Sequence, residues 1–399
     1  MKLSHGFGLL AAGFGTVGLT AFAGVGGLTA CSSSSSSASS SGGSGGGSSG
    51  GSDLCASLPS GSCNDPPTKP TSGTPASTTP HNYALHQLFL GDTDRSGNPS
   101  TTAWEDFGYD LDGKITTKDS TDVCTLVAGS SKQVQVDGTK GIDNSFGSQI
   151  MPIIGTLDST ASQTLNTAIA GGSFTIMTYV VGFDDSAGNT TTAAGLTGVL
   201  LAGGKYSADG GAPAWDTTTV WPVLPDMGLI NGCTSTGGCP AGTDPVKSAV
   251  IQFNGAFQTK GEFVSGAPNP LTLSLSIGGQ TLSLDIASAV ISFDPMAPGS
   301  VTNGTIAGVL DTQDLISGLM NVAGNISTSL CSGSAFQSIA MQIEQTSDIV
   351  LNGTTVSNPA GTTCNAISIG LGFNSTEIAV PSVIAPGSPP TPSKCDGGS

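Results

Sequence analysis

The sequence predicts a mainly β fold: an antiparallel β-sandwich of jelly-roll type with two or three short helices, preceded by a disordered Ser/Gly linker. Three observations lead there. Leu271, Leu273, Leu275 and Ile277 alternate strictly with Thr272, Ser274 and Ser276, the period of a strand with one buried face. Further short runs rich in β-branched and aromatic residues recur between Asp, Asn and Gly turns. Charged residues make up only 10% of the chain while Ser, Thr, Gly and Asn abound, the balance of an exported β-rich protein rather than a cytosolic enzyme.

The elements follow in order. His81 to Leu90 is short and apolar, and its pattern fits helix or strand. Ser159 to Ile169 has the spacing of a short helix. Phe174 to Val181 is a strand by β propensity, closed by the turn Asp184-Asp185-Ser186-Ala187-Gly188-Asn189. Val250 to Gly255 alternates and reads as another strand. Leu271 to Ile277 and Leu282 to Ile286 form a hairpin about Gly278-Gly279. Val290 to Phe293 and Thr305 to Leu310 continue the sheet. Asp311 caps a helix with Leu315, Ile316, Leu319, Met320 and Ala323 on one stripe, and Ser334 opens another with Phe336, Ile339, Ala340 and Ile343. Ile367 to Phe373 returns to strand. The expected organisation is residues 1–30 signal, 31–80 linker, 81–135 acidic segment, 136–386 β-rich domain and 387–399 Pro-rich tail.

At the N-terminus, Lys2 precedes an uncharged stretch from Phe7 to Gly27. It is long enough to span a bilayer, yet its glycines weaken it as a helix. Leu28-Thr29-Ala30-Cys31 follows, and this tetrapeptide resembles the lipobox of bacterial lipoproteins. The resemblance implies cleavage before Cys31, a diacylglycerol thioether on its sulfur and an acyl chain such as palmitate on its amine. The bilayer would then be a partner through several chains at about 0.8 kcal/mol per buried methylene. Ser32 after the cysteine implies outer-membrane sorting in a Gram-negative cell envelope. Residues 32–52 are Ser and Gly apart from Ala38, a composition that buries no core. Together with the Pro/Thr-rich residues to 80, they make a spacer of roughly 40 Å root-mean-square reach.

The net charge is −17 and Arg95 is the single arginine. No cluster of cations exists to neutralise phosphates, which excludes nucleic acid as a partner. Nine cysteines less Cys31 leave an even eight, the arithmetic of disulfides in an oxidising compartment. Cys55 with Cys63, and Cys233 with Cys239, have the spacing of local staples. Cys124, Cys331, Cys364 and Cys395 pair at long range in an order left open. No Cys-x-x-Cys spacing points to zinc.

Chemistry concentrates between Asp92 and Asp122, where eight acids face Arg95, Lys114 and Lys118. Asp110-Leu111-Asp112-Gly113-Lys114-Ile115-Thr116-Thr117-Lys118-Asp119 resembles the later part of an EF-hand or dockerin calcium loop. That resemblance implies calcium on Asp110, Asp112, Thr116 and Asp119, at loop positions 3, 5, 9 and 12, with Gly113 at the sharp turn. Gly108 at position 1 has no carboxylate. Asp92 and Asp94 begin a second, incomplete loop that would lend ligands to the same ion. The alternative is a pair of Asp/Gly turns on a solvated surface. Trp215 and Trp221, in a Pro-rich loop, offer flat faces to a carbohydrate or else plug the end of the core. Past His86 the chain has no histidine, so a Ser-His hydrolase would depend on His81 or His86.

Trp104-Glu105-Asp106-Phe107-Gly108-Tyr109-Asp110-Leu111-Asp112-Gly113 and Asp143-Asn144-Ser145-Phe146-Gly147 are similar to segments of uncharacterised surface lipoproteins of gliding soil bacteria, a resemblance that brings no activity with it. The reading that results is an anchored, surface-exposed lipoprotein with a binding or structural role. The alternative is an extracellular carbohydrate-degrading hydrolase using paired carboxylates.

Overall fold

Nine strands carry the fold: β1 (Pro80–Phe89), β2 (Thr175–Val181), β3 (Ala193–Gly203), β4 (Ala256–Thr259), β5 (Glu262–Val264), β6 (Asn269–Ile277), β7 (Gln280–Ala297), β8 (Ser300–Asp311) and β9 (Ala366–Glu377). A computed structural model describes residues 51–207, 211–226, 229–234, 236–266, 269–277, 280–297, 299–326 and 334–387. All of them belong to one compact unit. The hydrogen-bonded order is β8-β9-β1-β2-β3-β4-β5-β7, and β7 pairs again with β8. This is a closed eight-stranded antiparallel barrel, with β6 added to β7 as a hairpin flange.

The expected sandwich is therefore corrected to a barrel. Alternation along a strand says which face is buried, but both architectures share that signal. Closure comes from β7, whose 18 residues pair with β5, β6 and β8. It also needs sharp bends. Register shifts break the ladders at Ala194/Leu196, Thr302/Thr305, Ala307/Val309 and Asn374/Ser375, and bulges of this kind curl a sheet. Gly195 sits at the first of them with φ 82°, a conformation that favours glycine.

The barrel interior is filled. Tyr83 on β1 and Phe293 on β7 share no hydrogen bonds, yet their ring centroids approach to 5.5 Å. Phe183, Phe263 and Phe373 complete the aromatic cluster around Phe293, at 5.6, 4.6 and 6.3 Å. Each buried aromatic adds edge or stacking contacts beyond its area.

Helices α1 (Met151–Leu157), α2 (Ala161–Ala170), α3 (Thr312–Ile326) and α4 (Ser334–Glu344) complete the fold. Asp311 Oδ1 accepts from the backbone N–H of Gln313 and Asp314, the capping expected from the sequence. Asn166 on α2 accepts from Leu88 N–H and donates to Leu88 C=O, at 2.8 Å each. It thereby takes the place of a neighbouring strand along the upper half of β1, where β2 no longer pairs. Among the described residues no helix is long and apolar enough to cross a membrane.

Two sequence expectations fail locally. Val250 to Gly255 is not a strand; Ile251 and Phe253 are buried, but only Gln252 bridges, to Val199. Order also begins before residue 80. Asp53 and Leu54 pair with Ile115 and Lys114, and Ser52 donates to Asp122. Likewise β1 lies within the segment separated as acidic, yet it is a wall of the barrel between β9 and β2.

Disulfides join Cys55–Cys63, Cys233–Cys239 and Cys124–Cys364. Cys31, Cys331 and Cys395 lie outside the described residues. The third bridge spans 240 residues, so it restricts the unfolded chain most. Replacing both Cys124 and Cys364 by Ser should cost about 2–5 kcal/mol, more than the same change at Cys233 and Cys239. Urea melts of the two double variants test that order.

Candidate cation site beside the barrel wall

Residues 103–143 lie against the outside of β9, and two small residues, Gly370 and Gly372, make the approach possible. A Cβ on Gly370 would sit 2.0 Å from the Phe107 carbonyl oxygen. Asn144 locks the contact. Its Nδ2 donates to the carbonyls of Trp104, Phe107 and Gly370, and its Oδ1 accepts from the N–H of Gly147 and Gly370. Tyr109 then reaches across β8 to β7 and β5, where its hydroxyl lies 2.5 Å from Ser292 Oγ and donates to Glu262. This arrangement puts Asp143 next to the Asp110 turn.

Oxygens of Asp110, Asp112 and Asp143 all lie within 4.8 Å of one another. Asp110 Oδ1 accepts from the N–H of Gly113 and Lys114, and Asp112 Oδ1 from Lys114. Asp112 Oδ2 accepts from Asn358 Nδ2 at 2.6 Å, and Asp143 Oδ2 from Leu111 N–H at 2.6 Å. Asn358 in turn accepts the Cys124 N–H, so the long-range disulfide braces the site. Asp137 and Asp348 stand close enough for their charges to be felt. Asp137 accepts from Thr116, and Asp348 from Ser368.

Five carboxyls in one desolvated region resist ionisation. Burial, reinforced by the charges of Asp112 and Asp65, pushes Asp110 up to about 7. Burial pushes Asp348 up to about 7 and Asp137 to about 9. Asp143 is raised well above its ordinary value, by burial and then by the charges of Asp112, Asp137 and Asp348. Asp112 is also raised by burial. Such a cluster is balanced either by protons or by a cation. Oxygens on a calcium shell of about 2.4 Å radius lie at most about 4.8 Å apart, and the three carboxylates meet that spacing. Asp110 also lines a cleft of about 630 Å³ with Pro66, Pro67, Lys69, Phe257 and Val290, which gives an approach from solvent.

The linear loop inferred from sequence is assembled differently. Asp110 and Asp112 converge as the motif requires. The Thr116 hydroxyl is donated to Asp137. Asp119 is exposed beside Lys118. Asp94 closes its own turn through Ser96 and Asn98. Asp92 lines a separate cleft with Trp104 and Met151, and its Oδ1 is buried there without a hydrogen-bond partner. The third carboxylate, Asp143, lies outside both loop motifs. Its only sequence signal is its place in the Asp143-to-Gly147 segment, since its neighbourhood depends on the long-range Asn144–Gly370 contact.

Trp221 is fully buried and donates Nε1–H to the Gly204 carbonyl, so it plugs the core rather than offering a face to a sugar. Trp215 is partly buried against Trp221 and His86, with centroids at 5.3 and 5.9 Å. The glutamates serve separate partners: Glu262 with Tyr109, Glu344 with Gln313 and Glu377 with His81.

Fold and site together define a packed antiparallel barrel with a buried carboxylate cluster on its flank. Comparison of the chain with protein-family models, with curated proteins and with solved structures gives no match.

The shifts set a pH dependence. A carboxyl whose folded pKa lies above its unfolded value binds more protons when folded, so stability falls as pH rises between the two. Without metal, the protein should therefore lose stability from pH about 4 up to about 7 through Asp110 and Asp348, and on to about 9 through Asp137. Urea melts in chelator across that range should show the decline, and Asp143→Asn should flatten it.

Proposed function

We propose that the chain is a lipid-anchored lipoprotein of the bacterial cell envelope, held at the outer membrane through Cys31, with a binding or structural role that depends on calcium. The observation that carries the binding role is the convergence of Asp110, Asp112 and Asp143 within 4.8 Å. A hard dication there relieves the repulsion that otherwise keeps protons on these groups, and it ties the outer segment to the barrel. Support for the anchor is the tetrapeptide Leu28-Thr29-Ala30-Cys31 and the Ser/Gly spacer after it. A filled barrel and three disulfides suit display in an oxidising space, where durability matters. An envelope carbohydrate is the ligand we favour, with Trp215 as the aromatic face it would stack on.

Two measurements test the two halves independently. Mass spectrometry of the protein from its native host should find a diacylglycerol thioether at Cys31, and Cys31→Ser should leave the protein in the aqueous fraction. An unmodified sulfur would remove the anchor. Calcium at a hundred times its Kd should add about 2.7 kcal/mol to stability, read as a rise in Tm over chelator. Asp143→Asn should abolish that rise. An unchanged Tm in the parent protein would remove calcium.

A further inference from the structure

The barrel mouth opposite α3 holds a second group of metal-ligating side chains. His81 lies near the start of β1, Glu377 at the end of β9 and Asp185 in the turn after β2. Glu377 stands directly across from Tyr83 in the β9–β1 ladder, and His81 is two residues before Tyr83. In an antiparallel pair this puts His81, Tyr83 and Glu377 on one face. His81 Nδ1 is 2.9 Å from Glu377 Oε1 and 3.6 Å from Asp185 Oδ2. One ligand atom from each residue lies within 4.8 Å of the others. In sequence, His81 and Glu377 are 296 residues apart, so no spacing motif announces the group.

The third donor is held in place rather than left on a loose loop. Gln258, fully buried, accepts the Asp184 N–H through Oε1 and donates to the Asp184 and Gly261 carbonyls through Nε2. Asp184 itself closes the turn by accepting from Ser186 and Thr191. Asp185 is thus presented to the mouth by a fixed backbone. The side chains are largely but not wholly covered, with 13% of His81, 18% of Glu377 and 29% of Asp185 exposed, so an ion can enter.

A second observation points the same way. Tyr83 is 1% exposed and its hydroxyl has no hydrogen-bond partner. Its ring stacks on His81 at 6.0 Å. A buried hydroxyl left unpaired costs about 1–3 kcal/mol. Two carboxyl groups share this half-buried mouth with a single imidazole.

We propose that His81, Asp185 and Glu377 form a binding site for a transition-metal dication of zinc's class. A tetrahedral ion bound at about 2.0–2.1 Å sets its donors about 3.3 Å apart, and the distances of 2.9 and 3.6 Å bracket that value. One imidazole nitrogen with two carboxylate oxygens selects such an ion over calcium, which takes oxygen ligands alone. The fourth position is left to water. The proposal is independent of the Asp110 cluster, which lies on the outer wall.

Calorimetric titration of the untagged, disulfide-intact full chain with Zn2+ tests it, alongside the visible spectrum of the Co2+ form. The expected result is a single equivalent of zinc and the intense bands of four-coordinate cobalt. Asp185→Asn, on a turn outside the barrel strands, should weaken zinc at least about tenfold and leave the metal-free Tm unchanged. His81→Gln should abolish the cobalt bands. Asp143→Asn should leave zinc binding intact. Absence of zinc binding in the parent, zinc affinity unaltered by Asp185→Asn, or zinc lost through Asp143→Asn would each overturn the assignment.

Discussion

Closure of the sheet depends on β7. Its first half pairs with β6, and the rest bridges β5 to β8, so one strand joins both ends of what would otherwise be an open sheet. Once the ring is closed its inner side chains have nowhere to go but the centre. Tyr83, Phe183, Phe263, Phe293 and Phe373 meet there, and the barrel becomes a core rather than a container. Edge strands are correspondingly few, which limits unwanted pairing between molecules.

A filled barrel leaves its wall and its mouths to carry chemistry. On the wall, the segment around Tyr109 and Asp110 is pressed against β9 through Gly370 and held by Asn144. Carboxyls that would be harmless in water are thereby gathered in a poorly solvated region, and their protonation becomes coupled to folding. At the mouth, the ladder between β9 and β1 sets Glu377 opposite Tyr83 and close to His81. In both places the barrel positions side chains whose sequence neighbours are unremarkable.

Local structure was legible in the sequence. The Leu271-to-Ile286 hairpin, the β2 strand, the Asp311-capped helix, the Ser334 helix and the short helix near Ala161 all rest on nearest-neighbour patterns that hold in the structure. The two short-range disulfides were legible for the same reason. Closure was not, because sandwich and barrel share the alternation and differ only in which distant strands meet. Val250 to Gly255 misled because Ile251 and Phe253 are buried without a continuous ladder. For the candidate site, Asp110 and Asp112 were readable from the turn they share with Gly113. Asp143 and Asp348 were not, since they meet only because Asn144 bonds Gly370, 226 residues away, on the strand whose Ser368 holds Asp348.

The position of β1 has a consequence for biogenesis. It is the first barrel strand to be made, and it pairs with β9, the last. Cys124 likewise waits for Cys364. Such high contact order means that no barrel exists until nearly the whole polypeptide is available, and the ring closes last. Until then the nascent molecule presents an unpaired strand to its surroundings, and that interval is when it is most open to association with other chains.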